Sequence, residues 1–455
     1  MIINYKTREG REETALELYR RAKDSRSERE REWTKLSDYY EGKRRTAFME
    51  NMGFTPAVCT DVYMHVETQI DTKVPEYKFV IPGGEYAEQA ELRRRAVVYI
   101  LENNKLESQN SRNERRLLKY GSAFWKCFYD SDVGGGAGDI RIIDVPIESL
   151  FPDPTNKSSD IELCEYVDYV YYINKRKAVR LYGEALRKIG LSLDELDSSL
   201  GDTDVFAALG AVESEDTIRV LEHWYRDDEG DIACSILLGE VEVRHIPKYW
   251  ENTRNNSYPF IHYWRIADEN NFWQRSEIAP ILELVDAVDR ELAIAMYNDA
   301  LTSNDMFLVE EDALAEGQEI TNIPGAVLKV KAGQSGRIQR LLGAHTGINC
   351  MPMIAALQEQ ISRTIGSFDV TRGDEPERNM SAAGIERLNE RADLRRDLKQ
   401  SDRLDGFKRL YKLCDWSALE FYDDGRVIPY NDGSFCFDPS HHVIENGEYP
   451  AVDVI

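Results

Sequence analysis

Four carboxylates stand close together in the segment FPDPTNKSSDIELCE: Asp153, Asp160, Glu162 and Glu165. Carboxylates brought together on rigid elements are what a divalent metal needs for phosphoryl chemistry. On a strand, Asp160 and Glu162 share a face. Asp153, however, sits in a proline-bounded turn, so a structural loop is expected here. A metal-dependent nuclease or other DNA-packaging enzyme using Asp153, Asp160 and Glu162 is one alternative, and an adaptor or scaffold-associated structural protein is another. The glycine run VGGGAG at 133–138 imitates a phosphate cradle. It leads into the strand-like IRIID with no Lys–Ser/Thr pair behind it, which makes it a hairpin turn. His441 and His442 are adjacent, so on a strand their rings point to opposite sides. With Asp438 they form the turn DPSHH, read as a solvent-exposed loop rather than a metal site. The other histidines form no HExxH and the chain has no GxSxG elbow. Cys59, Cys127, Cys164, Cys234, Cys350, Cys414 and Cys436 include no CxxC pair and lie in locally apolar or aromatic settings, as buried thiols of a reducing compartment do. The expectation is therefore no catalytic residue, no cofactor and no metal.

One further segment could act without bond chemistry. TRGDEPERN comprises Thr371, Arg372, Gly373, Asp374, Glu375, Pro376, Glu377, Arg378 and Asn379. Its plain reading is a solvated connection between helices. Its functional reading is a doubly charged loop facing a polymer: the acids repel a phosphate backbone while Arg372 or Arg378 makes transient phosphate contacts. Gly373 gives the loop freedom and Pro376 limits it.

The elements that would hold these residues are alternately helical and stranded, an α+β class. Among 455 residues, 42% are hydrophobic and 31% charged, the composition of a folded protein with more than one packing unit. The formal net charge of −25 disfavours a tight DNA binder, though not a surface that DNA slides past. No apolar run is long enough to cross a bilayer and MIINYKTREGREE is no signal peptide, so assembly in a cytoplasm is expected. Residues 12–40 read as helix, with Trp33, Leu36 and Tyr40 on one face and an end near Gly42. One helical run is expected over 85–119. Strands are expected from Ser122, at Glu165–Tyr172, Thr217–Tyr225, Ala233–Leu238 and Glu242–His245, with a short helix at Lys175–Ile189.

The last part of the chain is the most informative. Ser276–Asn304 carries the apolar stripe Ile281, Val285, Val288, Leu292 and Met296, and a second helix from Pro352 to Phe368 carries Ile354, Leu357, Ile361 and Ile365. Between them MFLVEE, EITNIP and AVLKVKAG suggest short strands. A long helix opens at Ser381, a residue suited to capping, and the dense charges of ERADLRRDLKQSDRLDG suit a solvated or subunit-facing surface. AVDVI is strand-forming; either it docks in a sheet or a further C-terminal domain follows.

Taken in order, WTKLSDYYEGKRR, LLKYGSAFWKCFYD leading into DVPIESLFPDPT, and MPMIAALQEQISRTIGSFDVTRGDEPERNMSAAGIERLNERAD resemble the portal proteins of tailed bacteriophages, in the larger branch with a long N-terminal helical region. The likeness runs over roughly residues 30 to 430. It implies a non-enzymatic ring subunit, usually one of twelve, set at one capsid vertex of the virion. Residues 1–275 would be N-terminal helices and wing body, 276–304 and 350–368 the stem helices around the channel, and 305–349 the stranded clip. Residues 369–380 would hold the DNA-facing tunnel loop, 381–424 the long wing helix, and 425–455 the returning wing strands, with a helical crown minimal or absent. The implied partners are double-stranded DNA passing without sequence specificity, the terminase large subunit, the head-tail adaptor, and the major capsid or scaffolding protein, with no membrane. Genome packaging and later ejection would pass through the ring, and a shift of the stem helices would change the diameter at the loop.

Overall fold

The polar–apolar alternation of a half-exposed strand is lost in TIRVLEHWYR and IACSILL, which are buried almost throughout, so both faces of their sheet must be covered. A computed structural model describes residues 3–43, 50, 61–81, 86–133, 137–191, 217–253, 255–303, 306–310, 314, 331–333, 337–341, 350–365, 382–430, 433–443 and 449–455. In chain order its longer elements are α1 (Arg8–Glu41), α2 (Asp61–Gln69), β1 (Phe79–Val80), α3 (Ala87–Asn103), α4 (Leu106–Tyr120), β2 (Ser122–Asp130), β3 (Asp139–Val145), β4 (Leu150–Pro152), β5 (Tyr166–Asn174) and α5 (Lys175–Ile189). There follow β6 (Thr217–Arg226), β7 (Ile232–Leu238), β8 (Val241–Ile246), β9 (Phe260–Trp264), α6 (Leu282–Ser303), β10 (Met306–Val309), β11 (Ile338–Leu341), α7 (Cys350–Ile365), α8 (Ala382–Phe421), β12 (Arg426–Tyr430), β13 (Gly433–Phe437) and β14 (Asp453–Val454). They divide into two compact units, one of Met1–Leu36, Val66–Ala279 and Leu388–Ile455, the other of Ser37–His65 and Pro280–Arg387.

The first unit is layered. β4 to β8 form an antiparallel meander in sequence order, and β3-β2-β9 form a second sheet. Ala15, Leu18, Tyr19 and Ala22 recur at helical spacing on α1 and bury themselves against Phe151, Tyr166, Val170, Leu221, Tyr225, Ala233 and Leu237 on one face of the meander. On its other face Tyr169 and Trp224 meet Phe260 of β9 edge-on, and Lys126 of β2 reaches Glu222. The far side of that second sheet carries Trp125 and Tyr263, which pack on Phe407 of α8. Gly406 permits the approach: a Cβ there would lie 2.3 Å from that of Tyr263. Phe407, Leu410, Tyr411 and Cys414 form the buried side of α8, as their spacing predicts.

Several expectations need correction. The single helix over 85–119 is two, because Lys105 takes a left-handed backbone (φ 49°) between α3 and α4. The buried Asn104 before it donates to the carbonyls of Ile100 and Ile140, spending its side chain on the turn and on β3. His442 is buried in a 3-10 turn and stacks on Phe437, whereas His441 is exposed. Cys436 is exposed, unlike the five other cysteines described. The strand expected in AVDVI does dock in a sheet, with Asp453–Val454 paired to Phe79–Val80.

Candidate functional site

In the second unit, the helix expected from Ser276 begins at Leu282. Ser276 instead accepts the backbone N–H groups of Ile278 and Ala279, holding a turn before the helix starts. α6 and α7 pack on each other, and the two apolar stripes divide by depth. Ile281, Val285, Val288, Ile354 and Ile361 are buried, while Leu292, Leu357 and Ile365 are half-buried. Met296 is 56% exposed, out of the core that its spacing predicts for it. Tyr39 fixes the first half of α6 by donating its hydroxyl to Asp286.

Between the helices, β10 and β11 pair antiparallel, with Met306 opposite Leu341 and Val309 opposite Ile338. Just past the pair, Glu310 N donates to the carbonyl of Arg337 at 3.2 Å, and their side chains form an exposed ion pair. β11 lies outside the three strand segments read from the sequence, since RIQRL is short and places its aliphatic residues, Ile338 and Leu341, three apart rather than two. EITNIP and most of AVLKVKAG lie outside the described residues, as do Thr371–Asn379 and Ser381.

Large apolar side chains remain uncovered on the parts of this unit nearest the strand pair in sequence. Besides Met296 they are Tyr297, Leu308, Met351 and Met353. Uncovered methionine and aromatic surface is the composition of an interface core.

Three of the four clustered carboxylates, Asp153, Asp160 and Glu162, are spent on local structure. Asp153 accepts from both the backbone N–H and the hydroxyl of Thr155, at 2.9 and 2.8 Å. Asp160 accepts Glu162 N–H at 3.1 Å and caps the 3-10 turn Ile161–Leu163, so no strand puts Asp160 and Glu162 on a shared face. Glu162 receives Tyr258 N–H and the Arg226 guanidinium. Burial outweighs those contacts and lifts its carboxyl to about 7. Glu165 is exposed. Among the described residues no three His, Cys, Asp or Glu side chains are grouped to hold a metal ion.

Sequence reasoning missed two buried polar constellations. Glu114, fully buried on α4, receives Arg265 at 2.7 Å and Arg403 at 2.6 Å. Arg403 belongs to the charge-rich run read as a solvated or subunit-facing surface, yet only 3% of its side chain is exposed. An i, i+4 charge pattern cannot reveal which arginine has a buried acid across the fold. The second is Tyr5–His223–Asp168, with His223 Nδ1 2.6 Å from Asp168 and Nε2 3.2 Å from the Tyr5 hydroxyl. It resembles a proton relay, but His223 and Asp168 are fully buried under α1 and burial raises the Asp168 carboxyl. Here it ties the start of the chain to the meander, alongside the paired contact of Arg11 with Glu242.

Residues 65–232 match the family model of phage P22-like portal proteins. The matching region opens in α2 and runs through the meander to the first residue of β7, taking in α3, α4, β2, β3 and α5. Its mixture of helices and antiparallel sheets accords with a portal-like fold. No curated protein matches the chain.

Proposed function

We propose that the chain is the repeating subunit of a portal ring, and the match of residues 65–232 to the P22-like portal model is the observation that carries this reading. On it, α6 and α7 are the stem helices lining a channel, residues 305–349 are the clip, and Thr371–Asn379 is the tunnel loop at the narrowest point. α8 is the long wing helix, and β12 and β13 return to the wing. Two features of the second unit support the assignment: a packed helix pair brackets an antiparallel strand pair, and uncovered apolar side chains lie where a neighbouring copy would seal them. The net charge of −25 suits a duct past which DNA moves without sticking.

Twelve copies would close the ring at one vertex of the virion. The terminase large subunit would dock on the clip during packaging and the head-tail adaptor afterwards, with capsid or scaffolding protein around the wing. The subunit would break no covalent bonds; ATP hydrolysis belongs to the motor. A packaging assay tests this. Procapsids assembled without this chain should take up no DNA, and those carrying a Thr371–Asn379 deletion should fail to retain full-length DNA. Packaging that proceeds normally without the chain contradicts the proposal.

A further inference from the structure

Acid outweighs base in this chain, with 82 Asp and Glu against 57 Lys and Arg, and α5 inverts the balance most strongly among its helices. α5, KRKAVRLYGEALRKI, carries six cations (Lys175, Arg176, Lys177, Arg180, Arg187 and Lys188) against the single acid Glu184. It buries Ala178, Gly183 and Leu186 and half-buries Lys175, Tyr182, Ala185 and Ile189. Arg176, Lys177, Arg180, Arg187 and Lys188 are all exposed. Two apolar side chains are exposed among them, Val179 at 52% and Leu181 at 40%.

The placement of these charges opposes the helix itself. No acid occupies the first turn, although Asn174 caps it, and Lys175, Arg176 and Lys177 crowd the end where the macrodipole already favours anions. Lys188 pairs with Glu184 at 3.0 Å, but Lys175, Arg176, Lys177 and Arg180 form no ion pair with any described residue. Arg176 and Arg180 are one helical turn apart, a repulsive like-charge spacing. Local rules broken together on one exposed face mark a site where something else supplies the compensation.

We propose that the outward face of α5 docks an acidic protein segment that also carries apolar side chains. Charge complementarity sets the sign of the partner. Val179 and Leu181 set its class, because phosphates offer them nothing to pack on, whereas an acidic amphipathic segment meets cations and apolar groups together. The half-buried Tyr182 is the helix's single aromatic residue, so α5 presents no stacking platform for bases.

The test uses the full-length chain and fluorescence anisotropy with two labelled probes: a helical peptide of glutamates with leucines at i, i+3 and i+4 spacing, and a random-sequence DNA duplex of similar length. The peptide should bind more tightly than the duplex, and its affinity should fall as salt screens the charges. R176E/K177E/R180E should abolish peptide binding. V179S/L181S should weaken it about tenfold with the salt dependence unchanged, as expected for losing part of two apolar contacts. Circular dichroism of both variants should match the parent, separating a lost surface from a lost fold. Three results would overturn the proposal: undiminished peptide binding by the charge-reversed variant, tighter binding of the duplex than of the peptide, or loss of self-assembly in the charge-reversed variant, which would make a second copy the partner.

Discussion

The two units differ in where their strongest ion pairs lie. In the first, ions go inside and are matched: Glu114 with Arg265 and Arg403, Arg93 with Asp415, and Lys126 with Glu222 are all nearly or fully buried. In the second, the ion pairs Arg363–Glu359 and Arg337–Glu310 lie in water, while methionines and a tyrosine stay uncovered. Exposed pairs contribute little, and breaking a buried one is costly. The first unit therefore buries its strongest ion pairs, whereas the second sets these pairs in water and leaves methionine side chains open near its strand pair.

The largest effect should follow from breaking the first unit's matching. Glu114→Gln leaves the buried Arg265 and Arg403 with only their longer carboxylate contacts, to Glu277 (3.7 Å) and Asp71 (3.4 Å), and should cost about 3–5 kcal/mol, read by chemical denaturation. A loss below about 1 kcal/mol would mean that water reaches these arginines and that the contrast with the second unit is false. Ile361→Ala should destabilise by about 2–3 kcal/mol, because it empties the α6–α7 seam where the residue is only 1% exposed.

A pH measurement sharpens the same contrast. His262 stacks against both Phe124 and Phe272, which also stack on each other. Its Nδ1–H donates to the carbonyl of Ser159, so Nε2 accepts from Ser122, whose oxygen in turn accepts Gln274 N–H. Burial holds the ring's pKa down to about 3. The unfolded chain therefore takes up a proton below about 6.5 that the native ring refuses, and stability falls as pH drops from there toward 3. His262→Gln should flatten the difference in thermal midpoint between pH 7 and pH 4.5 relative to the parent. An unchanged difference would place the acid sensitivity elsewhere. The smallest effect on the single chain belongs to Met296→Ser with Met351→Ser, within about 0.5 kcal/mol by denaturation, although the pair should weaken assembly measurably in sedimentation.

Much of the fold is legible because strands and helices with one buried face write their period into the sequence. The stretches at β5, α5, β6, β7 and β8 lie within a residue or two of where runs of strand- and helix-forming residues and the turns between them put them. The apolar side of α8 follows from Phe407, Leu410, Tyr411 and Cys414. Legibility fails where a side chain's partner is distant in sequence. Nothing near Lys105 announces a left-handed turn, since the Asn104 contacts that fix it come partly from β3. Met296 shows the converse failure, because periodicity continues past the point where a helix loses its intramolecular neighbour. The candidate site is legible as helix, strands and helix, whereas the shared strand face read for Asp160 and Glu162 is replaced by a 3-10 turn that Asp160 caps.

The most direct test is electron microscopy of the purified full-length chain. A closed ring, near twelve copies around an axial hole about as wide as duplex DNA, with α6 and α7 on the wall, is the expected result. A monomer or closed dimer under all conditions, with α6 and α7 facing no opening, would contradict the account.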